Sequence, residues 1–366
     1  MILSGASAGQ GCGTKAGIGH DLRLIGNALL LSILMPSNRP FGESRRAIET
    51  ALAFCERQDA RLIVSDNARD PQKRAMLRDA SARLTYLEPE EDGVHANLLN
   101  VYAAADTEFI MMMGDDDEIF VSPKDKPLAL AEIGEDYLGV RPLVAVANSE
   151  GRIIRVKDFA IEGETPGARV MFYNERANGD NAAYYSIFRR KPYVDLHRFF
   201  LLHHPLKGGF SDWALACAMF ACGKLVYDPG IVFKYNYHRW DNDEKIAAQR
   251  AGLFAAVGLP ASAERFGLLF LYLDLLILAC RKSSPLDGAG KRGLLVEAGG
   301  PILSGFCRRV AGEAVDFGPD ATALAASITG ETLPERQFDL ALKMSECVQP
   351  GLEARYRAFL EFAIAN

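Results

Sequence analysis

Three consecutive aspartates, Asp115, Asp116 and Asp117, follow the apolar run Phe109-Ile110-Met111-Met112-Met113 after a single glycine. Carboxylates this close repel one another, so they call for a positive partner, most simply a divalent cation that takes oxygen ligands. The apolar run has no polar alternation, which suits a short strand buried on both faces of a largely parallel sheet. Its carboxylates then emerge at the strand's C-terminal edge, where open α/β sheets bind ligands. The alternative for an isolated triple Asp is a solvated acidic turn, and the neighbouring segments decide between the two.

Those neighbours place more polar groups at the same edge. Residues 29–35 form the first apolar strand, ended by the loop Pro36-Ser37-Asn38-Arg39-Pro40. A helix over residues 43–57 shows Ile48, Leu52 and Phe54 or Cys55 on one side. Residues 61–64 are a second strand, with Ser65-Asp66-Asn67 at its C-terminal end. A proline-started helix over 71–82, a strand over 84–87 and a helix over 94–105 lead into the acidic strand. Such strand-helix alternation builds a doubly wound parallel sheet, and three polar strand ends then share one edge. Further on, residues 143–147 and 153–156 read as a hairpin about Ser149-Glu150-Gly151, and 184–190 as a strand running into a basic pair. A helix begins at Ser211-Asp212-Trp213, with Ser211 or Asp212 available as its cap and Gly223 closing it. Taken alone, Asp212 is most simply that cap.

In their order, these segments resemble family-2 glycosyltransferases of the GT-A fold. The resemblance runs over about residues 29–240 through Ile33-Leu34-Met35-Pro36-Ser37-Asn38, Ile63-Val64-Ser65-Asp66-Asn67-Ala68, Gly93 with Asn97 or Asn100, Gly114-Asp115-Asp116-Asp117-Glu118, Ser211-Asp212-Trp213 and Tyr237-His238-Arg239. The chain departs from the pattern at Ser65 and Asn67, where acidic or small residues are frequent, and in the register of the asparagine before the acidic strand. The resemblance implies a Rossmann-like, mostly parallel central sheet flanked by helices. It also implies inverting transfer of a sugar from a nucleotide-diphospho-sugar to a glycan, lipid-linked or other hydroxyl acceptor, with Mn²⁺ or Mg²⁺. By the same resemblance, Pro36, Ser37, Asn38, Arg39, Asp66, Asn67 and Asn97 face the nucleotide, and Asp115 and Asp116 hold ribose and cation. Asp115, Asp117 and a late histidine, His238, are the expected metal ligands; the alternative for His238 is a surface histidine stacked beside Trp240. Asp212 is the expected general base, and Arg239 neutralises diphosphate through a bidentate contact.

Composition sets the frame for this reading. The 366 residues allow one large domain and a smaller one, and 49% hydrophobic with 24% charged residues excludes wholesale disorder. A net charge of -6 argues against non-specific nucleic-acid binding. Seven scattered cysteines without a Cys-x-x-Cys pair suit a reducing compartment and offer no zinc site. Residues 1–27 read as a flexible N-terminal extension, 28–242 as the catalytic domain and 243–366 as a helical C-terminal domain, broken at Ser283-Ser284-Pro285 and Gly299-Gly300-Pro301. With no secretory signal and no apolar run long enough to span a bilayer, the expectation is a cytoplasmic protein. Contact of the C-terminal helices with a glycan, a partner or the inner face of the membrane is left open. Two other functions compete. A non-catalytic relative would bind sugar nucleotide without transfer. An NTP-hydrolysing protein would use the acidic strand as a Walker B element, but Gly9-Gln10-Gly11-Cys12-Gly13-Thr14-Lys15 has no preceding strand and lacks the Gly-Lys-Ser/Thr ending.

Overall fold

The computed structural model describes residues 29–177, 179–240 and 242–366; the expected N-terminal extension and the glycine-rich segment 9–15 lie outside them. The first half alternates strand and helix: β1 (Leu31–Ser37), α1 (Phe41–Gln58), β2 (Arg61–Asp66), α2 (Pro71–Leu77), β3 (Leu84–Leu87), α3 (Val94–Ala104) and β4 (Phe109–Met112). The acidic stretch then reverses the chain into β5 (Glu118–Val121), a strand the sequence pattern does not mark. The expected hairpin is present as β6 (Tyr137–Ala147) and β7 (Ile153–Lys157), paired antiparallel. After α4 (Pro166–Ala177), β8 (Ile187–Arg189), α5 (Arg190–His203) and α6 (Asp212–Cys222) comes the long β9 (Lys224–Asn236).

The strands form one sheet in the order β3-β2-β1-β4-β8-β6-β9-β5, with β7 beside β6. Following the pairings, β1, β2, β3, β4, β6 and β9 run one way and β5, β7 and β8 the other, so the sheet is mostly parallel. The β1–β4 half is buried on both faces, as an unbroken apolar run requires. Phe109 and Met111 join the core beneath α1, while Ile110 and Met112 join the core of the opposite face. Gly139 of β6 is dictated by close approach, because a Cβ there would lie 1.9 Å from the Ile187 carbonyl oxygen.

The C-terminal segment is helical throughout. It comprises α7 (Asp243–Ala255), α8 (Gly267–Cys280), α9 (Gly288–Leu294), α10 (Gly300–Gly312), α11 (Ala314–Phe317), α12 (Pro319–Gly330), α13 (Pro334–Met344) and α14 (Leu352–Ala365). These helices share one continuous apolar core with α3, α5 and α6, through Leu215, Met219, Phe270, Leu273 and Phe359 among others. The break expected at Gly299-Gly300-Pro301 is instead a π-helical turn over Leu295–Gly299 that joins α9 to α10. A π turn shifts the hydrogen-bond ladder by one residue and so absorbs the missing proline N–H. Among the described residues, no helix is long and apolar enough to cross a membrane.

Candidate active site

Register brings the acidic stretch to the end of β1. Leu34 pairs with Met112, so three residues further on Ser37 comes level with Asp115. There Asp115 Oδ2 accepts from Ser37 Oγ at 2.8 Å and from the backbone N–H groups of Asn38 at 3.0 Å and Arg39 at 3.1 Å. The Arg39 guanidinium bridges two carboxylates, Nη1 donating to Asp115 Oδ1 and Nη2 to Asp116 Oδ2 at 2.6 Å. Burial would raise the pKa of Asp115, but Arg39 and these donors outweigh it and hold the carboxyl below its ordinary range.

Asp117 is treated differently. Its Oδ1 accepts the Asn236 N–H from the end of β9 at 2.8 Å. Burial, then the charge of Asp116, push its pKa up to about 8. Gly114 makes room for this arrangement, since a Cβ there would lie 2.7 Å from Asp117 Oδ2 and 2.9 Å from Asp116 Oδ1. His238, on the turn after β9, brings Nδ1 to 3.9 Å from Asp116 Oδ2, and that buried nitrogen has no hydrogen-bond partner. Arg239 beside it is exposed.

The expected ligands Asp115, Asp117 and His238 therefore do not face one point. Asp115 spends its oxygens on the β1 loop, and His238 lies against Asp116. Among the described residues no group of three or more His, Cys, Asp or Glu side chains is arranged to hold a metal. Of the acidic stretch, Asp117 is the carboxylate short of a positive partner; Asp116 already takes the Arg39 guanidinium, and the unpartnered His238 Nδ1 lies beside it.

Two other expected nucleotide contacts, Asp66 and Asn97, turn inward. Asp66 is fully buried and accepts from Lys73 Nζ at 2.9 Å, from the backbone N–H groups of Ala68 at 3.2 Å and Asp70 at 2.9 Å, and lies 3.0 Å from the Tyr86 hydroxyl. Lys73 Nζ also donates to Ser37 Oγ at 2.8 Å and to the Arg39 carbonyl at 2.6 Å, so this pair fixes the shape of the β1 loop from below. Asn97 is buried with Nδ2 on the Ser37 carbonyl at 3.2 Å. Asn67 is half-buried and links Asn38 Oδ1, at 3.4 Å, with the Gly93 N–H, at 3.1 Å. Pro36 pairs in register with Ser65, while Asn38 remains exposed at the edge.

Asp212 is the first residue of α6, and Ser211 does not cap that helix with its side chain. Asp212 is exposed, yet desolvation by the groups packed around it lifts its pKa to about 6. Tyr173 donates to Asn181 Oδ1 at 2.7 Å, which leaves Asn181 Nδ2 to face Asp212 and lower its pKa through a contact looser than a full hydrogen bond. Trp213 is held by its indole N–H on Asn174 Oδ1 at 2.8 Å. Tyr185 and Tyr235 are near enough to both acidic centres to feel the charge of each. Burial raises both hydroxyls well above their usual range, and the charges of Asp117 and Asp212 each add to it. Sequence reading missed Asn181, Tyr185 and Tyr235, because an amide and two aromatics carry no spacing signal until the strands are assembled.

Residues 32–196 match the family model for glycosyl transferase family 2. This stretch is a family-2 glycosyltransferase domain. It takes in the β1 loop and the three aspartates and stops before Asp212, His238 and Arg239. A comparison with curated proteins yields no match. Among solved structures, the chain is similar to residues 1–349 of S. aureus TarS, at 13% identity over 92% of this chain and 89% of that one with a TM-score of 0.41. The same protein in complex with UDP-GlcNAc aligns at 14% identity over 92% and 89%, with a TM-score of 0.43. A longer TarS structure aligns at 11% identity over 91% of this chain and 55% of that one, with a TM-score of 0.39.

Proposed function

We propose that the chain transfers a sugar from a nucleotide-diphospho-sugar to a hydroxyl of a glycan or lipid-linked acceptor, with inversion and with divalent-metal dependence. The observation that carries this reading is two unequal acidic centres, Asp116 with Asp117 and Asp212, both near enough to Tyr185 and Tyr235 for Asp117 and Asp212 each to raise their hydroxyls. The family-2 domain supports it independently.

In this reading the β1 loop, stiffened by Lys73 and Asp115, presents Asn38 and Arg39 to the nucleotide. Asp116, Asp117 and His238 would hold Mn²⁺ or Mg²⁺, which when bound offsets the charge gathering on the diphosphate. Arg239, exposed beside that edge, adds a guanidinium suited to phosphate oxygens. Asp212, ionised above its pKa of about 6, takes the proton from the acceptor hydroxyl as that oxygen attacks the anomeric carbon. The carbon–oxygen bond to the diphosphate breaks on the opposite side, and the nucleoside diphosphate departs with the electron pair. Asn181 Nδ2 keeps the Asp212 carboxylate turned toward the acceptor. One carboxylate on the acceptor side suits a single in-line displacement, hence inversion.

The test is a panel of UDP-, GDP- and dTDP-hexoses with Mn²⁺ or Mg²⁺, scored for binding, donor hydrolysis and transfer, with the product anomer assigned by NMR. Metal-dependent binding of one nucleotide and an inverted product are expected. Binding without turnover would favour the non-catalytic alternative, and a retained anomer would overturn the single displacement.

A further inference from the structure

Asp274 sits in the middle of α8, the one charged residue of an otherwise apolar helix, and is fully buried. A carboxylate in such a place is tolerable only when donors fill its oxygens. Three donors arrive, each from a different part of the chain. His204 Nε2, just after α5, lies 2.9 Å from Oδ1, the Tyr356 hydroxyl of α14 donates to the same oxygen at 2.9 Å, and Ser211 Oγ donates to Oδ2 at 2.7 Å. The other histidine nitrogen is spoken for: His204 Nδ1 accepts the backbone N–H groups of Leu206 at 3.2 Å and Lys207 at 2.8 Å. The ring proton is therefore assigned to Nε2, pointing at Asp274.

The segment gripped in this way, residues 204–211, leads directly into Asp212. It is not a relaxed turn, because Lys207 has a φ of 54°, in the left-handed region that side chains other than glycine avoid. Two more contacts hold it: Arg355 of α14 donates to the Pro205 carbonyl, and His95 Nε2 of α3 lies 3.1 Å from the Lys207 carbonyl oxygen. Ser211 occupies the N-cap position of α6, where its hydroxyl would ordinarily bond back to the helix. That hydroxyl is given to Asp274 instead. The start of α6 is thus anchored to the C-terminal helices and not to itself.

We propose that Asp274 is a positioning residue for sugar transfer, and that through Ser211 it sets the location of Asp212. The C-terminal helices α8 and α14 are then part of the catalytic apparatus, because they carry the carboxylate and the tyrosine that close the clamp. This inference rests on the transferase reading above. Its consequence follows from the steepness of catalytic geometry, in which a misplacement of about 1 Å costs on the order of 10²-fold in rate.

The test uses the full chain with Ser211→Ala and Tyr356→Phe, since loss of the Asp274 charge itself could prevent folding. Ser211→Ala cuts the bond joining Asp274 to the start of α6, and Tyr356→Phe removes only the hydroxyl bonded to Asp274 while keeping the ring's contact with His204. Three quantities are read: kcat against KM with the nucleotide sugar the native chain selects, the Kd of the matching nucleoside diphosphate, and hydrogen exchange across residues 204–213. The expected result is a fall in kcat of about tenfold or more for Ser211→Ala and a smaller fall for Tyr356→Phe. Nucleotide Kd and donor KM should stay unchanged, with faster exchange in the segment in both variants. Unchanged kcat in both, or losses that merely follow nucleotide affinity and melting temperature, would overturn the proposal. Transfer absent from the native chain would refute the transferase reading alone; exchange in residues 204–213 unaltered by Ser211→Ala would refute the clamp whatever the activity.

Discussion

Asp66 ends β2 and Asp117 follows β4, the two strands that flank β1; both are buried, and the fold treats them in opposite ways. Asp66 receives the Lys73 ammonium, two backbone N–H groups and the Tyr86 hydroxyl. Asp117 receives the Asn236 N–H and sits beside the charge of Asp116, which together with burial drives its pKa to about 8. The helical side of the molecule repeats the contrast. Asp274 has its three donors, whereas desolvation raises exposed Asp212 to about 6 against the weaker influence of Asn181 and the Trp213 N–H. The chain evidently can saturate a buried carboxylate. Where it leaves one short, the proposed function supplies the partner from outside, a cation for Asp117 and the acceptor proton for Asp212.

That contrast breaks first at Asp212. Asp212→Asn keeps the size of the side chain and removes its basicity, so transfer should fall by about 10²–10⁴-fold while melting temperature and nucleotide affinity hold. Single-turnover transfer at a normal rate would remove Asp212 from the chemistry. The saturated side is probed by Lys73→Met, which strands Asp66 as a buried, uncompensated charge. A loss of about 3–5 kcal/mol is expected in denaturant unfolding, and a loss near zero would show that Asp66 is not held as its contacts indicate.

The opposite outcome is expected for Asp117→Asn. Removing an under-compensated carboxylate should leave stability equal or higher, while metal-dependent nucleotide binding weakens by about 10–100-fold, the size seen when a metal site loses support. Calorimetry with and without Mn²⁺ separates the two effects, and unchanged affinity would sink the cation assignment. The smallest effect is graded by pH. A base must be deprotonated to act, so transfer should decline as pH falls through about 6 and level off above it. An acid limb near the ordinary aspartate range would mean that the groups packed around Asp212 do not desolvate it.

Sequence alone determined the elements whose signals are local. The apolar run 109–113 reads as a strand covered on both faces, and the alternation before it placed Ser37, Asp66 and Asp115 on one edge. Asp212 at a helix start was equally legible from its flanks. What tertiary structure decided is where those side chains turn. Asp66 and Asn97 read as ligand contacts yet face inward, because Lys73 and the Ser37 carbonyl meet them there. Glycine and proline at 299–301 read as a break yet lie in a helix that a π turn carries through. The Asp274 clamp joins residues 63 to 82 positions apart, a separation at which neither periodicity nor capping rules carry information. Local pattern sets which backbone forms, but the partner of a buried charge is chosen by packing between segments distant in the chain.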